Sequence, residues 1–520
     1  MDNCRSLRIF DTTLREGDQA ADFAFRRAEK IQIAHALENA GVDCIEAGFP
    51  VASGEDFEIC RTIFEETRIQ IAVMCRGTFD DIRRSASVFS APERGLLHIS
   101  LPVSDLHIRT KLGKSRRELL QLAQEMAHVS ADLAGMVEMG AEDATRAELS
   151  FLLDYCETVT QAGARIVNIA DTVGFAVPSE MTNRVEYLVR NVPAFRDGRA
   201  ILSVHCHNDL GLADANTIAA IQGGCGQIEV TALGIGDRAG NAALEELGFF
   251  FHVRPEVCRV TTHLVPPALG ELSRLVSSIT GTSFSPLKPV TGENVRAHAA
   301  GMHQQGLLRN PSTYAAGDLS CFDVYPERFV LSRHSGQAGI QAAVRRYAGV
   351  SVEGTALEAL REKVKVKAGE MTSLGITELF ALLAEQGLLS ASLWRCCAFR
   401  YEESQTGKDL EIRCSADLQI NGTGKTYTAT ASDGENAEFS WSAPLLALVI
   451  QSADIPVQIR TISVTGYQGK DRSCKVRVYL EASAGARTYA LERTGPCRER
   501  LLLDLLLDVA NAERALRCSS

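Results

Sequence analysis

The chain has 520 residues, 45% of them hydrophobic and 23% charged, an ordinary balance for a folded protein with room for two or three domains. A formal net charge of -11 argues against bulk nucleic-acid binding, which needs a basic surface, but leaves room for a small anion wherever an arginine or a metal ion reverses the local field. The longest apolar runs, such as "LLALVI" near 446, fall far short of the roughly 20 residues of a membrane-spanning helix.

The N-terminal "MDNCRSLRIF" lacks the cationic, apolar and small-residue regions of a secretory signal, so residence in the cytoplasm is expected. The 15 cysteines are odd in number, scattered and without a C-x-x-C pair, and in a reducing compartment they read as small buried hydrophobes.

In chain order, the first 240 or so residues repeat one unit: a short β-rich apolar run, a polar cluster, then an amphipathic segment. The runs are "LRIFDTTLRE", "VDCIEAGF", "IQIAVMCR", "LLHISLPV", "GMVEMGAED", "RIVNIADT", "ILSVHCHND" and "QIEVTALGIGD". Between the first two, "RRAEKIQIAHALENAG" (26 to 41) has apolar residues at 31, 33, 34, 37 and 40, with Gly41 as the stop, and predicts a helix. Eight such alternations predict a parallel sheet closed into a (β/α)8 TIM barrel, α/β in class, with its chemistry at the carboxyl ends of the strands. Those ends carry Arg15 and Glu16, Glu46, Arg76, Glu142 and Asp143, Asp171 and Thr172, His205 and His207, then "GIGDRAGN".

Past about 275 the alternation stops, and "AHAAGMHQQGLLRNPSTY" and "RHSGQAGIQAAVRRY" predict short helices and loops. A polar Gly- and Ser-rich stretch near 400 to 440 marks a further change, and the tail combines strand-like "IPVQIRTISVTGY" and "SCKVRVYLEA" with a closing helix "RERLLLDLLLDVANAERAL". The expected domains are a catalytic barrel over 1–275, a helical linker region over 276–395 and a small α+β domain over 396–520.

In "SVHCHNDLGLADAN", strand alternation turns His205 and His207 to the same face, where two imidazoles can share a metal ion. An H-x-H pair alone fits locally hydrogen-bonded histidines as well. Glu16 and Asn241 on neighbouring strand ends add a carboxylate and a carboxamide oxygen, a set suited to a divalent Lewis-acidic ion. Arg15 and Glu16 could form a structural ion pair, although adjacent strand residues face opposite ways. "GIGDRAG" invites a nucleotide-binding reading but lacks the G-x-G-x-x-G spacing and follows the eighth strand instead of the first.

"FDTTLREGDQ", "GVDCIEAGFP", "GAEDATR", "ADTVGF", "SVHCHNDLGLADAN" and "GIGDRAGNAALEE", continued in "AHAAGMHQQGLLRNPSTY" and "HSGQAG", together resemble the 2-isopropylmalate synthase and homocitrate synthase family of acyl-CoA-dependent condensing enzymes. The resemblance implies an acyltransferase that joins acetyl-CoA to a 2-oxo acid on a divalent metal (Mg2+, Mn2+ or Zn2+), as a homodimer whose C-terminal domain can take an amino-acid effector. It implies metal binding by Glu16, His205, His207 and Asn241, oxyanion stabilisation by Arg15, carboxylate binding by Thr172, and catalytic roles for Glu142 and for His303 of "GMHQQG". His303, outside the barrel, would arrive by domain closure or from a partner subunit.

The motifs are most similar to those of 2-isopropylmalate synthases, which act on 2-oxoisovalerate in leucine biosynthesis, although Glu16 stands where those enzymes commonly have aspartate and "REG" is more like homocitrate synthases. Homocitrate synthases hold the second carboxylate of 2-oxoglutarate with basic groups at positions that align with Thr78 and Glu138. A buried carboxylate facing Glu138 is expected to be repelled, which counts against 2-oxoglutarate; the branched acceptor is the leading expectation, with the pyruvate of citramalate synthases and the 2-oxoglutarate of homocitrate synthases behind it. A CoA-thioester lyase and an effector-binding pseudoenzyme are the readings from other classes. "TGYQGKDRSCKVRVYLE" only partly matches the effector-domain turns of the family.

Overall fold

The computed structural model describes residues 4–21, 23–280, 285–292, 294–322, 328–370, 374–389, 395–406, 409–420, 423–432, 445–446, 449, 457–468, 474–484, 487–495 and 497–519. The chain divides into two compact units, the first running to Thr282 and the second holding most of the remainder.

The first unit is the barrel. Strands β1 (Arg8–Asp11), β2 (Cys44–Glu46), β3 (Gln70–Cys75), β4 (Gly95–Pro102), β5 (Met136–Glu142), β6 (Ile166–Asp171), β7 (Ile201–Cys206) and β8 (Gln227–Val230) pair in parallel, each with the next, and β8 closes on β1. Seven lie within the runs anticipated from the sequence and β4 begins one residue before its run, each followed by helices packed outside. The first run departs in one respect: its strand ends at Asp11, and Thr13–Glu16 forms a helical turn.

Local signals set the helix limits. Helix α1 (Arg27–Asn39) buries Ile33, Ala34 and Leu37 at helical spacing and stops at Gly41, whose φ of +80° an L side chain rarely adopts. A Cβ there would also lie 2.1 Å from the carbonyl oxygen of His263. Helices α2 (Gly54–Glu66), α3 (Phe79–Ala86) and α4 (Arg116–Ala131) start at Ser53, Thr78 and Ser115, whose hydroxyls accept from backbone N–H groups of the first turn.

The barrel interior changes character along its axis. Phe10, Cys44, Ala72, Leu96 and Ile166 pack an apolar floor. Two residues further along, the same inward parity brings Glu46, His98 and Asn168 after Cys44, Leu96 and Ile166, and Glu138 and Ser203 after the half-buried Met136 and Ile201, joined by Gln227 and Glu229, all at most 3% exposed. Most of this polar layer is hydrogen-bonded, with Asn168 Oδ1 and Glu229 Oε1 left without a partner among the described residues. Gln227 accepts from Arg8 Nε at 3.2 Å, and its amide donates to Glu138 at 3.1 Å and to Ser203 Oγ at 3.1 Å. Glu46 accepts from Arg15 Nε at 2.6 Å and pairs with His98 Nδ1 at 2.8 Å.

The second unit contains helices Gly301–Arg309, Gln337–Ala348, Gly354–Glu370 and Ile376–Glu385, followed by two antiparallel three-stranded sheets and a closing helix, Arg498–Ser519. The polar stretch near 400 to 440, from which no strands were anticipated, forms the first sheet: Arg395–Thr406, Asp409–Ile420 and Thr423–Ser432. Its middle strand buries Cys414, Ala416 and Leu418, every second residue, in one core with Val478, Leu480 and Ala482 of the second sheet and Leu502, Leu506 and Val509 of the closing helix. Within "TGYQGKDRSCKVRVYLE", positions 469–473 lie outside the described residues. Among the described residues no helix is long and apolar enough to cross a membrane. Of the cysteines, Cys44, Cys60, Cys75, Cys156, Cys206, Cys225, Cys258 and Cys414 are buried thiols, as expected of small hydrophobes.

These contacts bear on stability in two measurable ways. Gly41→Ala should lower the stability of the barrel by about 1–3 kcal/mol, read from its denaturant midpoint, because backbone strain and the close carbonyl both oppose a Cβ. For the Glu46 and His98 pair, burial disfavours charge on both groups, but Arg15 and His98 outweigh it at Glu46, whose pKa falls to about 2, and Glu46 outweighs it at His98, whose pKa rises to about 9. A raised histidine contributes stability that is complete below its unfolded pKa of 6.5 and is lost as pH rises through about 9. The unfolding free energy lost in His98→Gln should therefore be greatest near pH 6 and shrink by a few kcal/mol on approaching about pH 9. A deficit constant across that range would contradict the charged pair.

Candidate active site at the carboxyl end of the barrel

Above the polar layer, β7 supplies His205, and His207 follows just beyond the strand, bridged to Asn241. The two rings face each other as strand parity requires, with the Nε2 atoms 3.2 Å apart. Glu16, on the turn after β1, brings Oε1 to 3.5 Å from His205 Nε2. The ligand-type atoms of Glu16, His205 and His207 all lie within 4.8 Å of one another. Asn241 reaches the site because the glycine-rich turn folds back on itself, its N–H donating to the Gly234 carbonyl at 2.9 Å. A Cβ on Gly236 would sit 2.0 Å from Asn241 Nδ2. "GIGDRAG" thus serves close backbone packing around Asn241.

Hydrogen bonding within the cluster is incomplete. Glu16 Oε2, His207 Nδ1 and Asn241 Oδ1 are buried with no partner, each at a cost of about 1–3 kcal/mol if left unmet. Asn241 Nδ2 donates to the Ile235 carbonyl at 3.1 Å, which turns the amide oxygen, an acceptor and ligand atom, away from that bond. Burial first, and then Arg15, depress the His205 pKa to about 3, while burial, His205 and Arg238 depress that of His207 to about 2. Both imidazoles are therefore neutral near pH 7, the state a metal ligand needs. Two neutral imidazoles, a carboxylate and a carboxamide oxygen, several with vacant lone pairs, fit a divalent cation.

Around this cluster the rim is assembled from several loops. Arg15 bonds Glu16 as well as Glu46. The expectation that Arg15 and Glu16 face opposite ways does not hold, because in a helical turn consecutive residues are about 100° apart rather than 180°. Glu142, ending β5, receives His107 Nδ1 at 2.9 Å and Lys111 Nζ at 2.6 Å on the same oxygen. The Thr172 hydroxyl accepts from the Asp143 N–H at 2.8 Å. Arg238 clamps Asp209 through two bonds of 2.8 and 2.9 Å and also donates to the Thr172 carbonyl, tying the loops after β6, β7 and β8. Asp171 spends its carboxylate on Thr145 and on the backbone of Phe175 and Ala176, so this part of the polar ring holds a loop together.

Thr78 caps α3, and Glu138 lies in the polar layer. Burial, and then the neighbouring Glu229, push the Glu138 carboxyl well above the usual range, so it is held protonated. Repulsion of a second substrate carboxylate by a charged Glu138 is therefore not what this position supplies. It lacks the basic group that would attract one. His303 lies in the second unit, exposed on Gly301–Arg309 and stacked on Tyr314 with ring centroids 4.0 Å apart.

His98 and Glu229 were not singled out from the sequence. They form, with Glu138, a second grouping of ligand-type atoms inside the barrel, where the cation supplied by the structure is the His98 imidazolium itself. The signal was available in principle: a histidine in "LLHISLPV" and a glutamate in "QIEV" interrupt otherwise apolar strands on the inward parity.

Comparison with known proteins agrees with this architecture. The family model described as HMGL-like matches residues 6–276, and one described as homocitrate synthase post-HMGL domain-like matches residues 290–372. A 2-isopropylmalate synthase of Acidimicrobium ferrooxidans is 35% identical over 511 residues, covering 95% of this chain and 97% of that protein. A 2-isopropylmalate synthase 1 of Caldanaerobacter subterraneus is 39% identical over 355 residues, 68% of this chain and 89% of that protein. One from a Caulobacter species is 34% identical over 475 residues, 91% and 88% of the two chains. With a matching barrel model over half its length and relatives this similar along nearly all of it, the chain belongs to the 2-isopropylmalate synthase and homocitrate synthase family.

Proposed function

We propose that this protein condenses acetyl-CoA with 2-oxoisovalerate, forming 2-isopropylmalate and releasing the CoA thiol. The observation that carries the reading is the meeting of Glu16, His205 and His207, with Asn241 bridged to His207, around unpartnered, buried ligand atoms in a barrel of this family. A divalent cation held by those residues would supply Lewis-acid polarisation of the acceptor's keto group.

The chain's own groups support the remaining steps. Arg15 uses Nε and one terminal nitrogen on Glu46 and Glu16, and its other terminal nitrogen has no protein hydrogen bond among the described residues. That N–H is available to the acceptor oxygen as it gains negative charge during carbon-carbon bond formation. Thr172, whose oxygen already accepts from Asp143, has its hydroxyl hydrogen left to donate to the acceptor's carboxylate. Glu142 keeps one oxygen free of its bonds to His107 and Lys111 for the acetyl group. His303 is the base that draws a proton from the acetyl methyl, brought over the barrel by closure or by a partner subunit. Water then hydrolyses the thioester, which drives the condensation forward.

The acceptor assignment rests on the names of the relatives and on the lack of a cationic side chain at Thr78 and Glu138 for a second carboxylate. A cytoplasmic homodimer, with residues 396–520 as a dimerising or effector-binding domain, completes the proposal.

Thiol release from acetyl-CoA should be fastest with 2-oxoisovalerate, lower by roughly 10–200-fold in kcat/KM with pyruvate or 2-oxobutyrate, and negligible with 2-oxoglutarate. Chelation should abolish it and Mn2+ or Mg2+ restore it. Preference for 2-oxoglutarate would replace the acceptor assignment, and silence with all four acids would end the synthase reading. His303→Ala should retain metal content while losing at least about a hundredfold in turnover. Near-normal turnover would reject that base.

A further inference from the structure

The buried polar layer does not stop beneath the site but joins it at one point. Parallel pairing of β7 with β8 sets Ser203 level with Gln227 and His205 level with Glu229. Glu229 is 1% exposed, and its Oε2 lies 2.9 Å from His205 Nδ1, on the side of the ring opposite the nitrogen that faces His207 and Glu16. Set against Nδ1, this oxygen accepts the ring N–H, which keeps the proton on Nδ1 and leaves Nε2 with its lone pair exposed to the cluster. On its far side Glu229 adjoins Glu138, which is anchored by Gln227 and through it by Arg8 at the foot of β1. The carboxylate that orients the ring thus rests beside a buried hydrogen-bonded pair, Glu138 and Gln227, while its own Oε1 has no hydrogen-bond partner among the described residues.

We infer that Glu229 is a positioning residue for the reaction: it selects the tautomer and fixes the rotation of His205, and so sets the affinity of the site for its divalent cation. This rests on the metal reading given under Proposed function. Glu229 itself is one residue removed from the cation, and its influence passes through the imidazole.

The test uses the full-length protein stripped of metal and titrated with Mn2+ by calorimetry, with the variants Glu229→Gln, Glu229→Asp and Glu138→Gln. Glutamine at 229 is isosteric but can turn its NH2 toward Nδ1, which drives the ring proton to Nε2. Mn2+ affinity should fall by roughly 10–100-fold. Glutamine at 138 can still accept from Gln227 and donate to Glu229, so Mn2+ affinity should remain as in the wild type, although this carboxyl is equally buried. A residue that merely supported the core would affect both positions alike. Should Glu229→Gln fail to fold, Glu229→Asp provides the same readout, with the charge withdrawn by one methylene. Independently of any variant, 15N chemical shifts of the metal-free wild type should show His205 protonated at Nδ1 and unprotonated at Nε2. Unchanged Mn2+ affinity in both 229 variants, or a proton on Nε2, would overturn the inference while leaving the metal reading in place. Failure of the wild type to bind Mn2+ would remove both.

Discussion

Two neutral imidazoles, buried and facing each other across 3.2 Å, dictate most of what this structure has to explain. In the tautomer inferred for His205, which donates Nδ1–H to Glu229 in a hydrogen bond, a single N–H can lie between the rings, and the outer nitrogen of His207 then has nothing to bond. Glu16 Oε2 and Asn241 Oδ1 are orphaned beside it. Three such atoms in one buried place amount to several kcal/mol of unmet hydrogen bonding, a deficit that folding for its own sake would not build. A cation bound there would satisfy lone pairs that no protein donor reaches.

The barrel makes this arrangement possible by layering. Its floor is apolar and close-packed, and only two residues higher do carboxylates and a histidine enter, each tied to a partner from another strand. Arg15 and His98 balance Glu46, so the charges under the site are paired before any ligand arrives. Pairing matters because an isolated ion in such an interior would cost many kcal/mol, whereas a bonded pair keeps its charge and its geometry. The rigidity of the closed sheet is passed upward through these bonds to groups on loops, which by themselves would be less well held.

Much of this was legible in the amino-acid sequence because it is periodic. Eight recurrences of strand and helix have few architectures open to them, and an H-x-H pair on a strand must converge. Arg15 and Glu16 were misjudged because the first strand already ends at Asp11, and the helical turn after it brings their adjacent side chains within reach of each other. His98 and Glu229 escaped notice because their meaning lies in register: neither stands out until β7 sets His205 beside β8 and β4 sets His98 beside Glu138. The sheet after 395 was hidden by polar residues on its outer parity and by small ones, such as Cys414 and Ala416, on the inner. The role proposed for His303 rests on family resemblance alone, since a histidine on an exposed helix has no local signature.

The most direct test of the account is anomalous diffraction from crystals of the metal-free protein soaked in manganese. A single strong peak bounded by Glu16, His205, His207 and Asn241 is the predicted result. Imidazoles turned apart, with no peak between them at a concentration that saturates binding in solution, would contradict it.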